Sequence, residues 1–118
     1  MRILVIGEKL LARSINRALQ KFNCQVTSSD AQYLADDLEQ QPEVILIENE
    51  MGLVGQEVIR RLQALGYKGP IYVTQSEGFR LPPWTQSMVD KGEIRGTVQV
   101  PWDLQAIRAW AESILIKT

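Results

Sequence analysis

The 118-residue chain contains no histidine. That removes Ser-His-Asp and Cys-His catalysis, histidine metal sites and any histidine phosphocarrier role. Carboxylates, hydroxyls, amines and backbone remain. Two carboxylates, Glu48 and Glu50, flank Asn49 directly after the apolar run Val44 to Ile47. An unbroken β-branched and apolar run reads as a strand covered on both faces, and ligand chemistry in open α/β sheets sits at the carboxyl ends of such strands. Glu8 follows a second run of this kind, Arg2 to Ile6, and Thr74 closes another, Ile71 to Thr74.

The elements that must position these groups alternate along the chain. After Gly7-Glu8, the residues Leu11, Ile15, Ala18, Leu19 and Phe22 recur at three- and four-residue spacing. They predict an amphipathic helix from Leu10 with Arg13, Arg17 and Lys21 outward. Gln25 to Ser28 is a weak second strand. Asp30 is placed to cap a helix whose inner face is Ala31, Leu34, Ala35 and Leu38, with Asp36, Asp37 and Glu39 as its solvated side. Pro42 ends that helix. A third helix carries Val54, Val58, Ile59, Leu62 and Leu65 inward and ends at Gly66, a natural left-handed cap.

Past the fourth strand the regularity weakens. Ser76, Gly78, Pro82 and Pro83 leave room for a long loop and a stunted fourth helix starting near Pro83 or Trp84. Thr97 to Val100 reads as the fifth strand, and Asp103 as the cap of a last helix reaching about Ile116. Strict alternation of strands and helices argues for a parallel sheet covered on both faces. Five such units over residues 1–118, with no repeat or linker, predict one domain.

Composition narrows the setting. Thirteen basic and fourteen acidic residues give a net charge of -1 with no Lys/Arg cluster, so direct nucleic-acid binding is not expected. Cys24 has no partner in the chain, which suits a reducing cytoplasm and a small packing role. No apolar run approaches the roughly 20 residues of a membrane span, and Ile3 to Ile6 is too short for a signal peptide. A cytoplasmic location is expected.

Four stretches, MRILVIGEK, PEVILIENEMGLVG, GPIYVTQS and VPWDL, together resemble the receiver domains of bacterial response regulators along the whole chain. The resemblance implies a flavodoxin-like (βα)5 doubly wound sheet of five parallel strands in the order 2-1-3-4-5. It also locates a phosphoacceptor pocket, altered at most of its positions. The acidic pair that holds Mg²⁺ in receivers reads Gly7-Glu8, and the acceptor aspartate falls on Glu48. The Thr or Ser after strand four is matched by Thr74 or Ser76, with Gln75 at the best-aligned position. The lysine before the proline of strand five is Val100, and the aromatic switch position falls near Thr97, which is not aromatic.

In-line transfer to a carboxylate needs the phosphoryl oxygens neutralised by metal and lysine, because position and charge do nearly all the stabilising. Gly7 removes a metal ligand and Val100 removes the cation. Glu48 reaches on the order of 1 Å further than aspartate, and misplacement of that size can cost about a hundredfold. The altered pocket thus predicts a pseudo-receiver working without phosphorylation, cofactor or catalysis. The alternative is a divergent acceptor using Glu48 with Glu8, Thr74 and Mg²⁺. Glu8, Glu48 and a carbonyl near Glu50 would form a weak oxygen site for such a cation. A third option is a Glu48 that imitates the phosphorylated state. A flavodoxin-like enzyme or nucleotide binder lacks support, since the chain has no G-x-G-x-x-G and no P-loop.

Without a phosphoryl switch, function is expected on a surface. The last helix holds Leu104, Ala106, Ile107, Ala109, Trp110, Ala111, Ile114, Leu115 and Ile116, more apolar residues than one core stripe uses. Receivers commonly dimerise or dock through helix four, strand five and helix five. That resemblance nominates Trp84, Trp102 and Trp110, with Ile107 and Ile114, for contact with a second copy, a protein partner or a fused output domain.

Overall fold

The computed structural model describes residues 1–48, 55–76, 83–100 and 104–117, the side chains of residues 75, 76, 99, 100, 104 and 115–117 apart. Five strands, β1 (Arg2–Ile6), β2 (Gln25–Ser29), β3 (Val44–Ile47), β4 (Ile71–Ser76) and β5 (Gly96–Val100), form one parallel sheet in the order β2-β1-β3-β4-β5. The connecting helices are α1 (Lys9–Ala18), α2 (Leu34–Glu39), α3 (Gly55–Ala64), α4 (Pro83–Asp90) and α5 (Leu104–Lys117). This is the expected doubly wound architecture, including the short fourth helix at its expected start.

The apolar runs become strands because both of their faces are covered. Along β1, Ile3 and Val5 pack with Ala12, Ile15 and Ala18 of α1 and Ile107, Trp110 and Ile114 of α5. Leu4 and Ile6 point the other way, into a second cluster with Leu34 of α2, Ile59 and Leu62 of α3 and Met88 of α4. All four residues of β3 are fully buried, as its central place requires. Edge strand β2 has no buried residue, only exposed and half-buried ones, which is why its sequence signal is weak.

Local chemistry sets the helix ends. Gly66 has φ +91°; its N–H donates to Gln63 O (3.0 Å) and the Tyr67 N–H to Leu62 O (3.0 Å), so the last turn of α3 closes in a Schellman cap. The N-terminal side of α2 differs from expectation. Asp30 does not cap a helix. Its Oδ1 accepts from the Gln32 N–H (3.1 Å) and Ser29 Oγ accepts from the Ala31 N–H (3.1 Å), turning the chain so that Ala31 takes φ +70° and the helix begins only at Leu34. Ala35 is consequently exposed. Asp37, read from sequence as solvated, is half-buried and accepts a hydrogen bond from Ser29 Oγ.

One further expectation changes: Leu65 lies past the last turn of α3 and is 48 % exposed. Leu10, near the start of α1, is 67 % exposed. Val54, Pro101, Trp102 and Asp103 lie outside the described residues.

Tyr67 follows the α3 cap and closes the lower edge of the sheet, its hydroxyl donating to Pro70 O (3.4 Å). Burial, reinforced by the nearby Glu43 carboxylate, pushes the phenol up from 10.0 to about 12. Because the folded value is raised, Tyr67 favours the folded state fully below pH 10, and that contribution disappears as pH rises through 12. An ultraviolet tyrosinate titration of the folded protein should show a late phase near pH 12 that Tyr67→Phe removes. A wild-type titration complete near pH 10 would contradict this assignment.

Candidate functional site

The register gathers the expected pocket at the carboxyl ends of the strands. Ile6 pairs with Ile47 and Ile47 with Val73, so the next residues, Gly7, Glu48 and Thr74, fall in one row across β1, β3 and β4, with Val98 of β5 opposite Thr74. The Glu48 N–H donates to Ile6 O (2.8 Å), and the Gly7 N–H to Ser29 O (2.9 Å) on the neighbouring strand. Val100 stands two residues further along β5, opposite Ser76. Glu8 is the exposed residue before α1, with extended φ and ψ and no side-chain capping bond.

Glycine at position 7 is a packing requirement. A Cβ there would lie 2.6 Å from Glu48 Cβ, 3.3 Å from its Cδ and 3.5 Å from its Cγ. The Cβ contact is the decisive one, since no rotamer of Glu48 relieves it. The longer side chain then lies back over buried Gly7, on the β1 side of the row. Thr74, on the other side, is fully buried and so is not presented to a ligand arriving from solvent.

Of the residues that the resemblance assigns to Mg²⁺, Gly7 brings no ligand, Glu8 is exposed and Glu48 lies against Gly7, while Glu50 lies outside the described residues; among the described residues no group of three or more Asp, Glu, Cys or His is gathered as a metal would require.

Sequence reasoning missed the groups beside this row. Gly7 forms part of a cleft of about 250 Å³ whose walls include Lys9, Ser29, Asp30, Tyr33 and Asp37. The signal was available in the strand order, because β2 next to β1 sets Ser28 and Ser29 beside Gly7. The cleft's carboxylates are already engaged, Asp37 by Ser29 Oγ and Asp30 by its own turn.

The surface residues nominated from sequence fare differently. Ile107, Trp110 and Ile114 belong to the core, and the Trp110 ring meets Tyr72 edge to face with centroids 5.5 Å apart. The reason is helix phase: among the described side chains of α5 these positions, with Ala111, face the sheet, and Ala106 and Ala109 take outward positions. They offer no docking face. Trp84 is half-buried against the second core cluster, and Trp102 is outside the described residues.

No protein-family model and no curated protein sequence matches the chain. Solved structures do, and they share one fold, that of response-regulator receiver domains. The chemotaxis response regulator CheY4 of Vibrio cholerae superposes with a TM-score of 0.72 at 16 % identity, with 96 % of each chain covered. The N-terminal domain of the nisin resistance regulator NsrR gives 0.75 at 16 % identity over 97 % of both chains. A two-component system response regulator/GGDEF domain protein gives 0.78 at 17 % identity, covering 99 % of this chain and 49 % of that one. At these identities the likeness establishes the receiver fold.

The close approach at Gly7 can be measured. Gly7→Ala should destabilise the protein by about 1–3 kcal/mol in urea unfolding, as overpacking does. In a Glu48→Gly background most of that cost should vanish, whereas Glu48→Ala, which keeps the colliding Cβ, should relieve little. Equal costs of Gly7→Ala in all backgrounds would show that the contact is not limiting.

Proposed function

We propose that the chain is a pseudo-receiver: a protein-interaction or dimerisation module of bacterial signal transduction or transcriptional regulation, acting in the cytoplasm without phosphoryl transfer and without catalytic activity. The observation that carries this reading is the Glu48 Cβ held 2.6 Å from where a side chain at position 7 would begin. A receiver's acidic pair has no room to form there. The acceptor position then lacks the metal that would neutralise a phosphoryl group, and Val100 supplies no cation in its place.

The receiver fold favours a signalling role because its solved neighbours are response regulators. In the GGDEF-containing neighbour the matched part is 49 % of the chain, which also supports an output domain joined in sequence as one form of partner. No helix among the described residues is long and apolar enough to cross a membrane.

The test is a pair of amide NMR spectra with and without Mg²⁺ and beryllofluoride, a mimic of the acyl phosphate. The expected result is no concerted shift at Glu8, Glu48 and Thr74 and none along β5. Saturable shifts there, spreading to β5, would overturn this reading in favour of a divergent phosphoacceptor using Glu48 with Mg²⁺.

A further inference from the structure

Among the described residues three large apolar side chains are exposed, Leu10, Tyr33 and Leu65, and two of them flank one groove. This groove, about 420 Å³, runs between α2 and α3. Tyr33, 67 % exposed, and Ala35 stand on the α2 side; Leu65, 48 % exposed, and Ala64 stand on the α3 side. Exposed aromatic and aliphatic groups set around small residues make a surface that a partner can approach closely, and burial of such a patch is the usual source of association energy.

The charges on the two walls differ in sign. Asp36 lies on the α2 wall and Arg61 on the α3 wall. They do not form an ion pair with one another within the chain. Arg61 instead donates one Nη1 hydrogen bond to Ala31 O (3.2 Å). One acidic wall and one basic wall flanking an apolar centre make a self-complementary surface. A two-fold axis along the groove sets α2 of one copy over α3 of the other, so that Asp36 meets Arg61 twice and the Tyr33 and Leu65 side chains of both copies share the centre.

We infer that the α2–α3 groove is the contact face of an isologous homodimer, with a second copy of this chain as its occupant. The inference rests on the interaction-module reading and names its surface and partner. The face adjoins the cleft beside Gly7, which Tyr33 also lines, and α2 and α3 pack on the opposite face of the sheet from α5.

Sedimentation equilibrium over a concentration series tests it, with circular dichroism to verify folding. The wild-type chain should dimerise reversibly. Asp36→Arg, a change at an exposed position, should raise the dimer Kd about tenfold or more, and Leu65→Glu should do the same. Adding Arg61→Asp to Asp36→Arg should restore most of the affinity, because the two charges exchange walls. A monomeric wild type, a dimer indifferent to both single substitutions, or a folded double variant no tighter than Asp36→Arg would each overturn the inference. A monomer whose NMR spectrum still ignores Mg²⁺ and beryllofluoride would leave the interaction-module reading standing, whereas a beryllofluoride response would defeat that reading whatever the mass.

Discussion

The site depends on how closely β1 and β3 approach at their carboxyl ends. With Glu48 Cβ 2.6 Å from the nearest possible Cβ at residue 7, that position is restricted to glycine by the backbone itself. The consequence is chemical as well as steric. The resemblance expects a carboxylate at that spot, and here Glu48 lies against it.

The scaffold around this contact is ordinary, and that is informative. β3 is fully buried and is covered by helices on both faces, so its end can move little without disturbing two core clusters at once. The Gly7 and Glu48 amides are both committed to neighbouring strands. The close approach is thus held by the sheet's register and not by any flexible loop.

Much of the fold was legible because burial on two faces leaves a strong mark in sequence. The runs Arg2–Ile6 and Val44–Ile47, the Gly66 cap and the late, short α4 were all readable before any coordinates. The entry to α2 was not. Asp30 and Ser29 bond to the backbone immediately after them, and such local competition looks the same in sequence as a helix cap. On α5 the sequence shows more apolar residues than one stripe, and among its described side chains Ile107, Trp110, Ala111 and Ile114 are the ones that pack on the sheet. At the site, residue types alone set Gly7 where the resemblance expects a metal ligand. That Gly7 is required by Glu48 depends on a distance between strands, which no local pattern encodes.

Intact-mass measurement of the wild-type chain after incubation with acetyl phosphate and Mg²⁺ puts the proposed phosphorylation-independence to the test. The proposal predicts an unmodified mass, because Gly7 offers no ligand and a side chain there would meet Glu48. A phosphoryl adduct that peptide mapping locates on Glu48 would contradict it.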